Sequence, residues 1–530
     1  MNIFKKTALQ SLILSAMLAV ASAQAATPAD TLVIARDIGT IISLDPQEAF
    51  EIAPGDTLNN LYLRLVQHDP RDFKKIIPGV AESWQASADG LQIIFKIKSG
   101  LKFQSGNPVT AEDAAFSLRR GILLGKPPSI ILRQFGWNKE NVEQHVRAEG
   151  DQLTLTFDKP YSKDLMLSAL SAAVASVVDK KLVMANEQNG DLGNNWLKTR
   201  SAGAGAYKLV EWKAKDAVVL EAFPGYSGGP AKLKRVIIRH VAEASAQRLL
   251  LEKGDIDVAS DLNPDQVQAI GTSAELKVVQ IPRGTVIYLA LNQANPNLAK
   301  PEVWQAIRYL VDYEGMAQQL FRGQYKVNQS PVAQGVDGAL PENPYKFNVV
   351  KAKALLAKAG LKDGVTFSLD AMAMSPYKEM AQSLQNTFAQ AGIKLELRVA
   401  EPSLVTSRYR ERRQDIVVFV WAPDYSDASS TIEFFTRNAD DSATAANKNA
   451  AWRNHWLIPQ LTAQTEVASH EIDGPTRIKR YGDLQRALRD DSPFIFALQK
   501  VEPVVMRKNV QNYSGYATFD STPFYIIEKR

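Results

Sequence analysis

Val286-Ile-Tyr-Leu-Ala-Leu-Asn292 is an unbroken apolar run closed by a polar residue. Such a run predicts a central strand buried on both faces of its sheet. Working outward, Asp415-Ile-Val-Val-Phe-Val-Trp421 has the same character. Residues 31–35, 207–212 and 234–239 also read as strands, and 91–98 alternates apolar with charged residues, as a half-buried strand does. Between them, residues 244–253, 302–313, 350–359 and 379–391 carry helical spacing. Three of these helices stop at Gly254, Gly360 and Gly392, the usual left-handed terminus. Thr110-Ala-Glu-Asp113 reads as a capped helix start. Strands and helices alternate along the whole chain, which predicts α/β construction.

The ends and the composition narrow the class. Met1-Asn-Ile-Phe-Lys5-Lys6, an apolar run over 8–20 and Ala21-Ser-Ala-Gln-Ala-Ala26 follow the pattern of a secretory signal peptide, with cleavage expected after Ala23 or Ala25. The chain has 530 residues, 45% hydrophobic and 22% charged, room for about three domains. It contains no cysteine, which excludes disulfides, thiolate metal sites, cysteine nucleophiles and a lipid anchor through cysteine. Export without such an anchor points to the periplasm. The net charge of +5 comes with no basic run of the kind that tracks nucleic acid.

Catalytic motifs are missing. There is no Gly-x-x-x-x-Gly-Lys-Ser/Thr loop, no Gly-x-Ser-x-Gly elbow and no His-Glu-x-x-His helix, and the five histidines are scattered. Gly203-Ala-Gly205 is followed by a strand where a dinucleotide loop needs a helix. Acidic pairs at Asp255/Asp257, Asp424/Asp427, Asp440/Asp441 and Asp490/Asp491 leave a hydrolase open as an alternative, though spacing alone does not set the required geometry. The sequence therefore gives no enzyme assignment, no cofactor and no metal site. The strand ending at Trp421 runs into Ala422-Pro-Asp424-Tyr-Ser-Asp427, placing an aromatic ring and a carboxylate at a strand terminus, where α/β proteins bind ligands. Asp424 then has two readings: partner of a cationic ligand group, or cap of a helix beginning near Ser426.

Several blocks carry a family resemblance. Ala81-Glu-Ser-Trp84, Asp89-Gly90, Phe95-Lys-Ile-Lys, Gly100-Leu-Lys-Phe103, Gly106 and Thr110-Ala-Glu-Asp113 form the most specific run. Gly203-Ala-Gly-Ala-Tyr207, Glu302-Val-Trp-Gln-Ala306 with Asp312, residues 351–360, the Trp421 segment and Asp491-Ser-Pro-Phe494 follow. Together they resemble the periplasmic oligopeptide- and dipeptide-binding proteins of ABC importers, the family 5 extracellular solute-binding proteins. The resemblance implies a bilobal protein with hinge-linked lobes and an extra third domain. Residues 1–25 would be the signal peptide, and 26–71, 196–292 and 501–530 the first lobe. Residues 72–195 would form the inserted domain and 293–500 the second lobe, with hinge strands near 292 and 501–506. It further implies a monomer that delivers a peptide or peptide-like solute to an inner-membrane permease with cytoplasmic ATPases.

By the same resemblance Asp424 would pair with a ligand α-ammonium, with Trp421 and Tyr425 beside it. Phe50, Glu51 and Phe116 would contact ligand, and Arg408 and Arg410 would stand where a basic side chain meets a ligand carboxylate. Two positions depart from the peptide-binding pattern: Val420 stands where relatives often have glycine, and Lys378-Glu379 where dipeptide-specific relatives carry arginine. Ligand length stays open for that reason, as does a non-peptide ligand such as an opine, an oligosaccharide or a chelated metal.

Overall fold

The computed structural model describes residues 27–270, 273–518 and 522–530. The expected signal peptide lies outside the described residues.

One large sheet spans the molecule. Its strands are β1 (Thr31–Arg36), β2 (Tyr207–Lys213), β3 (Ala217–Ala222), β4 (Arg235–His240), β5 (Val258–Ala259), β6 (Leu276–Leu291), β7 (Tyr325–Val327), β8 (Val365–Met372), β9 (Ile393–Ala400), β10 (Ile416–Trp421) and β11 (Phe494–Arg507). Their order is β9-β8-β10-β6-β11-β5-β1-β4-β3-β2, with β7 also on β11. Helices surround it, among them Ala244–Lys253, Pro301–Leu310, Val349–Lys358 and Tyr377–Ala389. The α/β expectation matches this arrangement, except that the helix expected over 302–313 ends at Leu310, where Val311 turns extended and Asp312 caps the next turn.

The two longest strands join two bodies. β6 and β11 pair antiparallel from Leu276 opposite Arg507 to Pro282 opposite Val501, then shift register and resume with Val286 opposite Gln499. On one side of that break β11 pairs with β5, and on the other β6 pairs with β10. At the break Gly284 passes close to another stretch of backbone: a Cβ there would stand 2.3 Å from the Ala517 carbonyl oxygen. A larger residue would force the crossing apart.

This geometry moves a boundary. The sequence reading carried the first lobe to residue 292, but the end of β6 packs elsewhere. Ile287, Leu289 and Leu291 pack with Leu310, Phe367 and Ile416. On the opposite face Val286, Tyr288 and Ala290 pack with Val417, Ile432 and Phe435. A strand apolar on both faces needs two covering layers, and the second body supplies both. The crossing therefore falls at 282–286.

Within the first body, Ala81–Ala86, Gln92–Ile97, Gln152–Thr156 and Val146–Glu149 form a separate four-stranded sheet. Helix Ala111–Leu124 packs with it, opened by the expected Thr110–Asp113 capping box. This part shares one continuous apolar core with β1, β2 and β4. Arg120, fully buried, clamps it to the N-terminal segment through two hydrogen bonds to the Asp45 carboxylate, at 2.8 and 2.6 Å. Gly203 and Gly205 have a packing role: a Cβ at either would stand 2.0 or 2.3 Å from the carbonyl oxygens of Leu61 and Asn60.

The two bodies touch across the space between them. Lys159 Nζ stands 2.9 Å from Glu466 Oε1, and His470 Nδ1 lies 3.0 Å from the Pro160 carbonyl. The Tyr425 hydroxyl donates to Gln134 Oε1 at 2.9 Å. The cleft is thus bridged, as in a closed form.

Candidate functional site

The cleft is built from two short chain segments that face each other. From the first body comes 50–52, leading into the helix Gly55–Leu61; from the second comes 422–424, leaving the end of β10. Phe50, Glu51 and Asp424 line one cavity, together with Pro128, Ile131 and Val174. The next residues along each segment, Ile52 and Ala422-Pro423, line a second cavity with Arg36, Asp56, Arg283, Thr285, Lys500 and Glu502. Consecutive residues of each segment thus line two separate cavities, the second of them at the crossing of β6 and β11.

Asp424 is half-buried. Its backbone N–H donates to Ser430 Oγ at 2.8 Å, but among the described residues nothing donates to its carboxylate. Burial, with no cation to offset it, pushes the carboxyl up to about 7. The helix-cap reading belongs to its neighbour. Asp427 accepts the Ser429 N–H at 2.8 Å, opening helix Ala428–Thr436. It also receives both terminal nitrogens of Arg477, at 2.8 and 2.6 Å. Burial raises its carboxyl, yet the guanidinium outweighs that and holds it below the usual carboxylate range.

Of the other residues expected here, Phe50 and Glu51 do come to Asp424, from the opposite body. Tyr425 is buried, with its hydroxyl on Gln134 and Ser429, so it ties the bodies together instead of lining the opening. Trp421 stacks on Phe434, ring centres 3.8 Å apart and 13° from parallel. Its indole N–H is buried without an acceptor among the described residues. Phe116 stands apart from these cavities, packed on the first core under Lys180 Nζ, 5.7 Å from the ring centre. Arg408 is engaged by Asp370 at 2.9 Å, and Arg410 is exposed; neither lines the cleft cavities with Asp424. Val420 sits in the ladder opposite Ile287. The other acidic pairs are tied up: Asp257 with Lys529 at 2.9 Å, Asp441 with Arg412 and Asp490 with Arg489. Among the described residues no cluster of three or more metal-ligating side chains occurs, and no helix is long and apolar enough to cross a membrane.

The charged floor of the cleft escaped the sequence reading. Arg36 reaches Asp56 at 2.5 Å and Glu502 at 3.9 Å, and Arg283 Nε reaches Glu502 at 2.5 Å. Burial raises Glu502, but Arg283, Arg36 and Lys500 outweigh it and hold the carboxyl down to about 2. A signal did exist: Arg283, Lys500 and Glu502 fall in the polar middle of two strands that are apolar toward Leu291 and Phe494.

Two α/β bodies joined by crossing strands, with a polar cleft at the crossing, define a bilobal binding protein. The chain belongs to the bacterial extracellular solute-binding proteins, family 5, whose middle-region model matches residues 75–443. It is similar to the probable D,D-dipeptide-binding periplasmic protein DdpA of Escherichia coli K12, 26% identical over 503 residues, covering 93% of this chain and 92% of that one. Among solved structures it is similar to HbpA2 of Haemophilus parasuis, with a TM-score of 0.78 at 22% identity, covering 94% of this chain and all of that one. It is also similar to DppA of Helicobacter pylori in complex with the peptide STSA, with a TM-score of 0.75 at 21% identity, covering 94% and 98% of the two chains.

Proposed function

We propose that this chain is the periplasmic receptor of an ABC importer and that it captures a peptide or peptide-like solute by its α-ammonium. The observation that carries the proposal is the pair Asp424 and Glu51. They come from opposite bodies, line one cavity, and have no cationic partner among the described residues. An ammonium placed in that cavity would gain charge-assisted hydrogen bonds and offset the burial of the Asp424 carboxylate. Its binding would thereby favour the closed form. Phe50 offers an apolar wall on the same side. The names of two relatives agree with this reading, one a D,D-dipeptide-binding protein and the other solved with a bound peptide.

In this reading the protein binds its ligand unchanged and hands it to a membrane permease. Residues 72–195 form the domain inserted in the first lobe, and the lobes move about the β6–β11 crossing. The test is calorimetry with free and N-acetylated peptides. Free peptides should bind, acetylated ones should lose at least about tenfold in affinity, and Asp424→Asn should cost the free peptide a similar factor. Equal affinity for free and acetylated forms would sink the ammonium assignment.

A further inference from the structure

Residues 159–161 of the first body meet helix Pro459–Ser469 of the second at a contact that lines neither cavity above. His470 is the C-terminal cap of that helix, its side chain about four-fifths buried. Both ring nitrogens face acceptors. Nε2 lies 3.0 Å from Glu466 Oε1, one turn back on the same helix, and Nδ1 lies 3.0 Å from the Pro160 carbonyl oxygen of the opposite body. The carbonyl has no proton to give, and neither has the Glu466 carboxylate. Burial raises Glu466, but Lys159, Arg437 and His470 outweigh that and hold it down to about 2. A neutral imidazole has one N–H and one lone pair, so in either tautomer one of the two oxygens would face a lone pair. The doubly protonated ring donates to both, and the helix C-terminus favours a cation there as well. The other charges around the ring do not oppose it. From the first body come Lys159, 2.9 Å from Glu466 Oε1, and Asp158 beside Tyr161, whose ring centre stands 5.0 Å from the imidazole. The second body brings Arg437 between Glu466 and Glu433, and Glu471 paired with Arg480.

We infer that His470 is a proton-dependent latch between the two bodies: closure seats its ring between Glu466 and the Pro160 carbonyl and takes up one proton. Opening withdraws the Pro160 oxygen, and the neutral ring then serves Glu466 alone through Nε2. By linkage the closed form gains as pH falls through the range in which histidine titrates, about 5–8, and that gain is lost as pH rises through it. The latch acts on the lobes and not on the ligand, since neither His470 nor Pro160 lines the cavities at Asp424 and at the β6–β11 crossing. It therefore goes beyond the ammonium reading and does not depend on it. Whatever the bound solute, the closed form releases it faster at the upper end of that range.

The experiment is energy transfer between two dyes on the full mature chain without ligand, attached through Lys139→Cys and Lys479→Cys. Both positions are exposed and lie on opposite bodies, and the chain has no cysteine of its own, so labelling is confined to that pair. Asp424→Asn serves as the background, because the Asp424 carboxyl titrates in the same range. The closed-to-open ratio should fall by about three- to tenfold from about pH 5.5 to about pH 8. His470→Gln should flatten that dependence, since the amide keeps a donor but takes up no proton. Lys159→Ala leaves the ring and both its acceptors in place, so it should lower the ratio at every pH and keep the dependence. A ratio that does not change with pH, or one that falls as steeply in His470→Gln, overturns the latch. Loss of the dependence in Lys159→Ala also overturns it, because the ion pair and not the histidine would then carry the effect.

Discussion

Asp424 and Asp427 stand three residues apart on one loop, yet they are opposite kinds of carboxylate. Asp427 holds a helix start and a bidentate arginine, and its charge is compensated within its own body. Asp424 faces the cleft with no donor to its carboxylate among the described residues, and its carboxyl rises to about 7. The difference separates a group that stabilises the fold from one kept in reserve. A buried pair costs stability when one partner is removed, because the other charge is left uncompensated, whereas a carboxylate buried without a partner already costs stability as it stands.

Breaking the built-in pair should have the largest effect. Asp427→Ala leaves the Arg477 guanidinium buried and unpaired and removes the helix cap, so chemical denaturation should show a loss of about 3–5 kcal/mol. Asp424→Asn should do the reverse. At pH 8 the unliganded protein should melt higher than the wild type, because an ionised, desolvated carboxylate has been replaced by a neutral amide. The folded carboxyl titrates above its unfolded value, so the wild-type penalty is fully present above about pH 7 and fades as pH falls from there toward about 4. The gain should shrink in the same window in thermal scans.

Ligand binding should follow the same titration with opposite sign. Binding an ammonium needs the ionised form, so affinity for a free peptide should fall by about tenfold per unit as pH drops below 7. That slope should vanish in Asp424→Asn, which calorimetry across the range would read. The smallest effect is expected at the bridge beside the pair. Tyr425→Phe removes the hydroxyl that reaches Gln134, and the closed form should lose about 0.5–1.5 kcal/mol, seen as faster ligand release in stopped flow.

Much of the fold was legible because it is written locally. Apolar runs marked β6 and β10, glycines marked the ends of three helices, and Thr110 with Asp113 marked a fourth helix start. The point where β6 passes from one body to the other was not legible, because a continuous apolar strand looks the same wherever its covering layers come from. In the site, Asp424 stood out by its place after a strand, and Phe50 and Glu51 through the family resemblance. Arg408, Arg410 and Phe116 were drawn in by the same resemblance, but Arg408 is engaged by Asp370 and Phe116 lies under Lys180 within their own bodies, and Arg410 is exposed.

The sequence by itself determined the alternation of strands and helices, the family and the candidacy of Asp424, since each is carried by neighbouring residues. Only the tertiary structure decided which of two aspartates is compensated and which charges face the cleft. Arg477 lies 50 residues from Asp427, and Arg283 lies 219 from Glu502. A carboxylate's charge state depends on what the folded chain places within a few ångströms of it, and separations that long leave no local trace.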